Sequence, residues 1–91
     1  MTETSKRAAV VTVRVLAFAR LRELLGFGER HVGVPEGTTL DDLWVQLAAD
    51  APQLGGLRAS TRFARNGELA AGAELVRDGD EIALLPPVGG G

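Results

Sequence analysis

Hydrophobic and polar residues alternate along residues 10–18. One side of this segment carries three valines, and the other begins polar and turns apolar at Leu16 and Phe18. A period of two with β-branched residues predicts a first strand, whose valine face we expect to meet the core. The valines are Val11, Val13 and Val15.

Turn residues separate the next elements. Residues 19–25 predict a short helical turn that ends at Gly26, and residues 29–34 predict a second strand, paired with the first in a hairpin with a long connection. Pro35, Glu36 and Gly37 are typical of a turn. These signals place two antiparallel strands in the first third of the chain.

A helical period follows this turn. Thr38 or Thr39 is expected to cap the helix, and Asp41 and Asp42 suit its positive N-terminus. The helix extends to about residue 50, and Pro52 prevents its continuation. The apolar positions that should pack across the sheet, the tryptophan included, are Leu40, Leu43, Trp44, Leu47 and Ala48.

The second half of the chain predicts short strands joined by tight turns. Residues 53–60 are expected to be irregular or to hold one weak turn. Asn66-Gly67 is a strong hairpin signal, because both central positions of a type I′ turn need a positive φ. The predicted strands are residues 61–65, a short strand within 68–76, and residues 81–85 after the turn 78–80.

The order strand, strand, helix, strand, short strand, strand predicts an α+β fold of the β-grasp (ubiquitin-like) class. We expect a mixed four- or five-stranded sheet with one main helix packed across it. The first and last strands would then run parallel in the middle of the sheet. This places Phe18 near Leu85, at the end from which the chain leaves the sheet.

Composition narrows the function classes. A length of 91 residues suits one small domain, which we place at residues 10–86 between a flexible N-terminal tail, 1–9, and a flexible C-terminal tail, 87–91. A net charge of −2 gives no basic footprint for nucleic acid, and no segment is long and apolar enough to span a membrane. The chain has no cysteine, so thiolate chemistry is excluded. We expect a cytoplasmic protein.

The chain finishes with Pro86, Pro87, Val88 and three glycines directly after an apolar run. Proline favours an extended path, and glycine lets the backbone pass through a narrow channel. This pattern predicts a carrier whose terminal carboxylate is activated inside a partner enzyme. The alternative is a frayed terminus or a cloning remnant.

Three motifs carry a resemblance to a known family. Residues 15–26, Val-Leu-Ala-Phe-Ala-Arg-Leu-Arg-Glu-Leu-Leu-Gly, resemble the opening of the molybdopterin synthase small subunits, which are sulfur carriers. Residues 78–91, Asp-Gly-Asp-Glu-Ile-Ala-Leu-Leu-Pro-Pro-Val-Gly-Gly-Gly, resemble the ending of that family. Arg65-Asn66-Gly67 resembles its valine-asparagine turn. The resemblance covers about residues 10–91.

The resemblance implies a sulfur carrier for molybdenum cofactor biosynthesis that is not an enzyme by itself. Gly91 would be adenylated and converted to a thiocarboxylate, with Gly90 beside it and Gly89 the weaker assignment. The implied partners are the large synthase subunit, an adenylyltransferase related to ubiquitin-activating enzymes, which uses ATP-Mg, and a sulfur donor. The chain itself is expected to bind no cofactor and no metal. The implied sulfur acceptor is the pterin precursor.

Several side chains are candidates for docking. If the valines face the helix, Leu16 and Phe18 face away from it, and Leu85 joins them if Ile82 and Leu84 point inward. Pro86, Pro87 and Val88 continue this surface into the tail, and Arg22 is a candidate for a salt link to a partner. The alternative is that these apolar residues belong to an ordinary core or lie under a loop.

Other polar residues receive structural interpretations. His31 is expected to be a surface strand residue, and the acidic cluster Asp78, Asp80 and Glu81 is expected to be a turn with solvated charges rather than a metal site. Two alternative functions stay open. One is a sulfur carrier for thiamine or cysteine synthesis, and the other is a ubiquitin-like modifier or non-catalytic interaction domain.

Overall fold

The computed structural model describes residues 9–87. Within that range the chain forms five strands, two α-helices and one 3-10 helix. In chain order these are β1 Val10–Ala17, α1 Ala19–Leu25, β2 Glu29–Pro35, α2 Leu40–Asp50, the 3-10 helix Pro52–Ser60, β3 Arg62–Arg65, β4 Glu68–Ala70 and β5 Glu81–Leu85.

The five strands form one mixed sheet in the order β2-β1-β5-β3-β4. β1 and β5 are parallel neighbours, and every other pair is antiparallel. Parallel strands need a long crossover, and here α2, the 3-10 helix and the β3–β4 hairpin lie between them in sequence. The β-grasp fold, with the first and last strands side by side near the centre, is confirmed.

The core lies between α2 and one face of the sheet. Val13 and Val15 are fully buried, as the alternation predicted, and so is Leu40 at the start of α2. Trp44 is 4 % exposed and meets Phe63 edge to face, with 6.4 Å between ring centroids. The tryptophan is therefore a core residue, as expected, and a natural reporter of folding.

The N-terminus of α2 is fixed by a reciprocal cap. The Thr39 hydroxyl accepts a hydrogen bond from the Asp42 amide at 3.0 Å, and the Asp42 carboxylate accepts one from the Thr39 amide at 3.1 Å. This capping box satisfies two helix-end donors. Thr38 instead donates its hydroxyl proton to the Pro35 carbonyl at 2.6 Å, which closes the preceding turn. Of the two threonines considered, Thr39 is the cap.

The segment after Pro52 differs from the prediction. Instead of an irregular stretch or one weak turn, residues 52–60 form a continuous 3-10 helix. Leu54, which is fully buried, anchors the helix to the core, and the Thr61 hydroxyl donates to the Leu57 carbonyl at 2.8 Å. The large apolar side chains of this segment are Leu54 and Leu57, which Gly55 and Gly56 separate, and two such positions are too few to indicate a helix from the pattern. β3 consequently begins at residue 62 rather than 61.

Asn66 joins the β3–β4 hairpin to β5. Its φ of 53° and the φ of 89° at Gly67 confirm the predicted turn, in which both central residues are left-handed. The Asn66 side chain accepts from the Glu81 amide and donates to the Asp80 carboxylate, each at 2.9 Å. Asp80 also accepts from the Arg77 amide at 2.8 Å.

The interpretation of Asp80 as a solvated charge is wrong. The residue is 8 % exposed, and its two oxygens each accept one of the hydrogen bonds that hold the hairpin and the β5 turn together. Asp78 likewise accepts from the Thr12 amide at 2.8 Å. Burial is tolerated because both oxygens of Asp80 have donors, a long-range arrangement that the acidic run alone does not encode.

Replacing Asn66 by alanine should destabilise the domain by about 2–4 kcal/mol, because a buried carboxylate loses a donor and alanine is strained at a positive φ. Trp44 fluorescence during urea unfolding measures the change. Asn66→Gly separates the two causes, since it removes the strain and keeps the loss of hydrogen bonds. Glu68→Ala, an exposed change in the same hairpin, should stay within about 0.5 kcal/mol. Equal stability of Asn66→Gly and the wild type would refute the role of the side chain.

Candidate functional site: an outer apolar face beside the tail

The C-terminal strand delivers the chain to one end of the sheet. Ala17 pairs with Leu84 across the parallel β1–β5 ladder, and Leu85 pairs with Arg62 of β3. Because β5 is flanked on both sides, the tail leaves from the middle of the sheet rather than from an edge. Pro86 is half-buried and Pro87 is exposed. The predicted tail residues Val88, Gly89, Gly90 and Gly91 lie outside the described residues.

Alternation along β5 separates core from surface as predicted. Ile82 and Leu84 are fully buried under α2, whereas Ala83 and Leu85 are half-buried on the opposite side of the sheet. A regular period of two produces this division. Leu85 is therefore on the face away from the helix, where docking was predicted.

The start of the chain contributes to the same face. Leu16 alternates with the buried Val15 and Ala17 and is half-buried. Phe18 follows β1 as the extended residue that precedes α1, and its side chain is 45 % exposed. An aromatic side chain left this open at the end of a central strand is a candidate contact for a partner.

Strand register extends the face beyond the residues found from the sequence. Leu16 lies opposite Ala83, Ala83 opposite Ala64, and Ala64 opposite Leu69, so four apolar residues form one row across β1, β5, β3 and β4. Leu69 is 64 % exposed. We define the outer apolar face as Leu16, Phe18, Ala64, Leu69, Ala83 and Leu85. Sequence reasoning missed Ala64 and Leu69, although the Asn66-Gly67 turn fixes the register that places Leu69 opposite Ala64.

A charged triad borders the outer apolar face on its side away from the tail. The Arg14 guanidinium donates to Glu29 at 3.1 Å and also to Glu81, the residues on either neighbouring strand. These bonds, first the one to Glu81 and then the one to Glu29, raise the pKa of Arg14 above its usual value. His31, opposite Arg14 on β2, is exposed, as predicted for a surface strand residue.

Arg22 lies on α1, near the end of the sheet from which the tail leaves. Leu21, which is 2 % exposed, fixes the short helix to the core, and Gly26 ends it with a φ of 83°. The Arg22 side chain lies over Gly28, where an added Cβ would come within 3.1 Å of the guanidinium carbon. Arg22 is exposed and forms no ion pair with residues 9–87. Its predicted contact with a partner stays a prediction.

Two kinds of site find no support in the part of the chain that the structure describes. Residues 9–87 contain no cluster of three histidine or acidic side chains placed to hold a metal ion. In the same range, no helix has the length and hydropathy required to cross a membrane.

A protein-family model described as the ThiS family matches residues 15–91, which include the end of β1, the other four strands and the tail. The chain belongs to the ThiS family. Together with curated relatives named as molybdopterin synthase sulfur carrier subunits, this match confirms the resemblance inferred from the sequence motifs. The match also covers the four tail residues that lie outside the described structure.

The curated relatives of this ThiS-family chain include proteins with two different names. A molybdopterin synthase sulfur carrier subunit from Chlamydomonas reinhardtii is 36 % identical over 81 residues, covering 87 % of this chain and 98 % of the relative. Small archaeal modifier protein 1 from Haloferax volcanii is 38 % identical over 82 residues, covering 81 % of this chain and 94 % of the relative.

Solved structures share the fold. The crystal structure of the Haloferax volcanii modifier gives a TM-score of 0.76 at 32 % identity and covers 86 % of this chain and 99 % of its own. A complex of subunits 1 and 2 of the molybdopterin-converting factor from Helicobacter pylori contains a chain that gives a TM-score of 0.60 at 24 % identity. That match covers 89 % of this chain and 100 % of the other, and it shows the fold alone.

Because β5 has one buried face and one outer face, the same substitution should lower the free energy of unfolding by different amounts on the two faces. Leu84→Ala should cost about 2–5 kcal/mol, because it leaves a cavity in the core. Leu85→Ala, on the outer apolar face, should cost about 1 kcal/mol or less, since its side chain is only half-buried. Urea unfolding of the two variants, one residue apart, measures the difference. Equal costs would mean that Leu85 is a core residue and not part of a docking surface.

Proposed function

We propose that this chain is the sulfur carrier subunit of a molybdopterin synthase, with Gly91 as the residue that carries sulfur. The observation that carries the proposal is the position of the tail. It follows a central strand whose outer side is apolar, so a partner that packs on this face receives the tail directly. The name of the Chlamydomonas relative supports the assignment of the pathway.

The chemistry needs only the terminal carboxylate of the chain. An adenylyltransferase of the ubiquitin-activating kind would use ATP-Mg to join AMP to the Gly91 carboxylate, with release of pyrophosphate. Attack by sulfide, delivered by the sulfur donor, then forms the carbon–sulfur bond, breaks the bond to AMP with release of AMP and a proton, and leaves a thiocarboxylate. A carboxylate is a poor electrophile, and AMP makes a good leaving group. The chain supplies the carried group, and its partners supply the acid, base and metal.

The tail residues suit passage into an enclosed site. The three terminal glycines have no Cβ, so they need the narrowest channel that a polypeptide can use. Residues 86–91 extend at most about 20 Å beyond Leu85 at roughly 3.3–3.6 Å per residue. The two prolines restrict the direction in which this length is projected. The carrier thus has two parts: a folded domain that binds the partner and a tail that enters the partner's active site.

Docking would use the outer apolar face. Surfaces of contiguous exposed apolar side chains mark interaction sites, and their burial supplies affinity. We assign the large synthase subunit to this face, because the relatives are named as subunits of the synthase. The activating enzyme must also receive the tail, so the two partners would bind the face in turn and not together.

Incubation with ATP-Mg, the activating enzyme and a sulfur donor should replace one oxygen of the chain by sulfur. Intact-protein mass spectrometry, with fragmentation to locate the change, should place it at Gly91. A variant that lacks Gly91 is the control and should keep its mass. Formation of the thiocarboxylate without any transfer to the pterin precursor in the presence of the large subunit would instead favour a carrier for thiamine or cysteine synthesis.

Phe18→Asp should weaken binding to the large subunit by about tenfold or more, because it places a charge in the apolar contact. Val45→Asp is the matched control, since Val45 is 67 % exposed on the solvent side of α2. Titration calorimetry with the purified large subunit measures both affinities. Urea unfolding checks that each variant is folded. Equal affinities of the two variants would refute docking through the outer apolar face.

A second candidate function is protein modification, which the Haloferax relative favours by its name. In that case the activated Gly91 would be transferred to amines of other proteins and form isopeptide bonds. Expression of the tagged chain in its host, followed by denaturing purification, distinguishes the two functions. Adducts linked through Gly91 to lysine side chains would favour the modifier, and the free thiocarboxylate would favour the sulfur carrier.

A further inference from the structure

Arg62 occupies a particular place beside the tail. It is the first residue of β3, and it pairs directly with Leu85, the last residue of β5. Phe63, the next residue, is 2 % exposed and faces the core, so alternation puts Arg62 on the outer side of the sheet. Its side chain is exposed. A guanidinium therefore adjoins both the outer apolar face and the point where the tail leaves.

The arginines on and near β3 differ in their ion pairs. Arg14 is held by Glu29 and Glu81, Arg58 by Asp41 at 2.8 Å, and Arg65 by Glu74 at 2.9 Å. Arg62 forms no ion pair with any carboxylate of residues 9–87. Of the three arginines on β1 and β3, Arg62 is the one without an acidic partner among residues 9–87. On other elements, Arg20, Arg22, Arg30 and Arg77 also form no ion pair within that range.

The cleft beside Arg62 has no carboxylate among its lining residues. It lines a cleft of about 340 Å³ together with Arg58, Phe63 and Leu69. Arg58 is fixed in this cleft: it donates to Asp41 at 2.8 Å and to the Thr61 carbonyl at 2.9 Å, and lies 4.3 Å from the centroid of the Phe63 ring. Asp41, the carboxylate partner of Arg58, is not among the residues that line the cleft.

Docking on the outer apolar face would change the environment of Arg62. A partner that covers Leu85 also covers its direct neighbour on β3 and removes water from the guanidinium. A charge that loses water without gaining an opposite charge is strongly unfavourable. A planar guanidinium is best satisfied by a carboxylate, which can accept two parallel hydrogen bonds. The binding surface must therefore provide an acidic group at this position.

We propose that the large synthase subunit presents an aspartate or glutamate to Arg62, next to the opening that receives the tail. The inference rests on the proposed function for the identity of the partner. The contact determines the orientation of the docked chain as well as its affinity, because it pairs one corner of the outer apolar face with one acidic side chain of the large subunit. A large subunit with an apolar or basic residue there would be rejected even where the apolar surfaces match.

The test compares charge changes at two exposed arginines. Arg62→Glu should weaken binding to the purified large subunit at least about tenfold, and Arg62→Ala should weaken it less, since the first also introduces repulsion. Arg77→Glu, the same change near the opposite end of β5, should alter the affinity less than about twofold. Urea unfolding should show the wild-type midpoint for the Arg62 variants, because the side chain is exposed.

A change on the partner completes the test. One Asp→Arg or Glu→Arg substitution on the large subunit should restore binding to Arg62→Glu and weaken binding to the wild type. If Arg62→Glu binds like the wild type while Phe18→Asp does not, the acidic contact is refuted and docking through the apolar face stands. If Phe18→Asp also binds like the wild type, the docking proposal fails, and the acidic contact fails with it.

Discussion

The parallel pairing of β1 with β5 is the constraint on which the rest of the structure depends. It brings the first and last strands of the chain together, with Ala17 opposite Leu84, so the chain leaves β5 from the middle of the sheet. It also aligns Leu16 with Ala83, which creates the first half of the apolar row on the outer face. A shift of one residue in this register would move Leu84 to the surface and Leu85 into the core.

The two faces of the sheet differ in burial. The side under α2 is a closed core in which Val13, Ile82 and Leu84 are fully buried. The other side leaves Phe18 and Leu69 exposed, and it combines an apolar row with charged side chains along two of its margins. On one margin, two carboxylates of the same chain neutralise the charge of Arg14. On the tail side, the proposed acidic group of the partner would neutralise the charge of Arg62.

Local signals in the sequence predicted most of the fold. The valines of β1, the capping residues before α2 and the Asn66-Gly67 turn each act over a few residues, and the structure agrees with them. The positions of Leu16, Phe18 and Leu85 on the side of the sheet away from α2 followed from the same alternation. A resemblance to a known family supplied the chemistry of Gly91, which no physical pattern in the chain specifies.

The features that sequence reasoning missed depend on contacts between distant segments. Asp80 is buried because Asn66, in another hairpin, gives it a donor, and nothing in the acidic run around Asp80 indicates this. The 3-10 helix depends on Leu54 reaching the core beside α2. Leu69 joins the outer apolar face only through the β3–β4 register, and the exposure of Arg62 becomes informative only once Leu85 is known to lie beside it.

The position of β5 also has a consequence for the folding of the chain during synthesis. The contact between Arg14 and Glu81 spans 67 positions, and β5 separates the β1–β2 pair from the β3–β4 pair. Until β5 has emerged from the ribosome, β1 and β3 each have one open edge, and such edges are prone to pair with other chains. Loop closure over this separation slows folding. The domain therefore closes only when the strand that bears the tail is in place, so a chain cut short before β5 has neither a complete sheet nor a tail to activate.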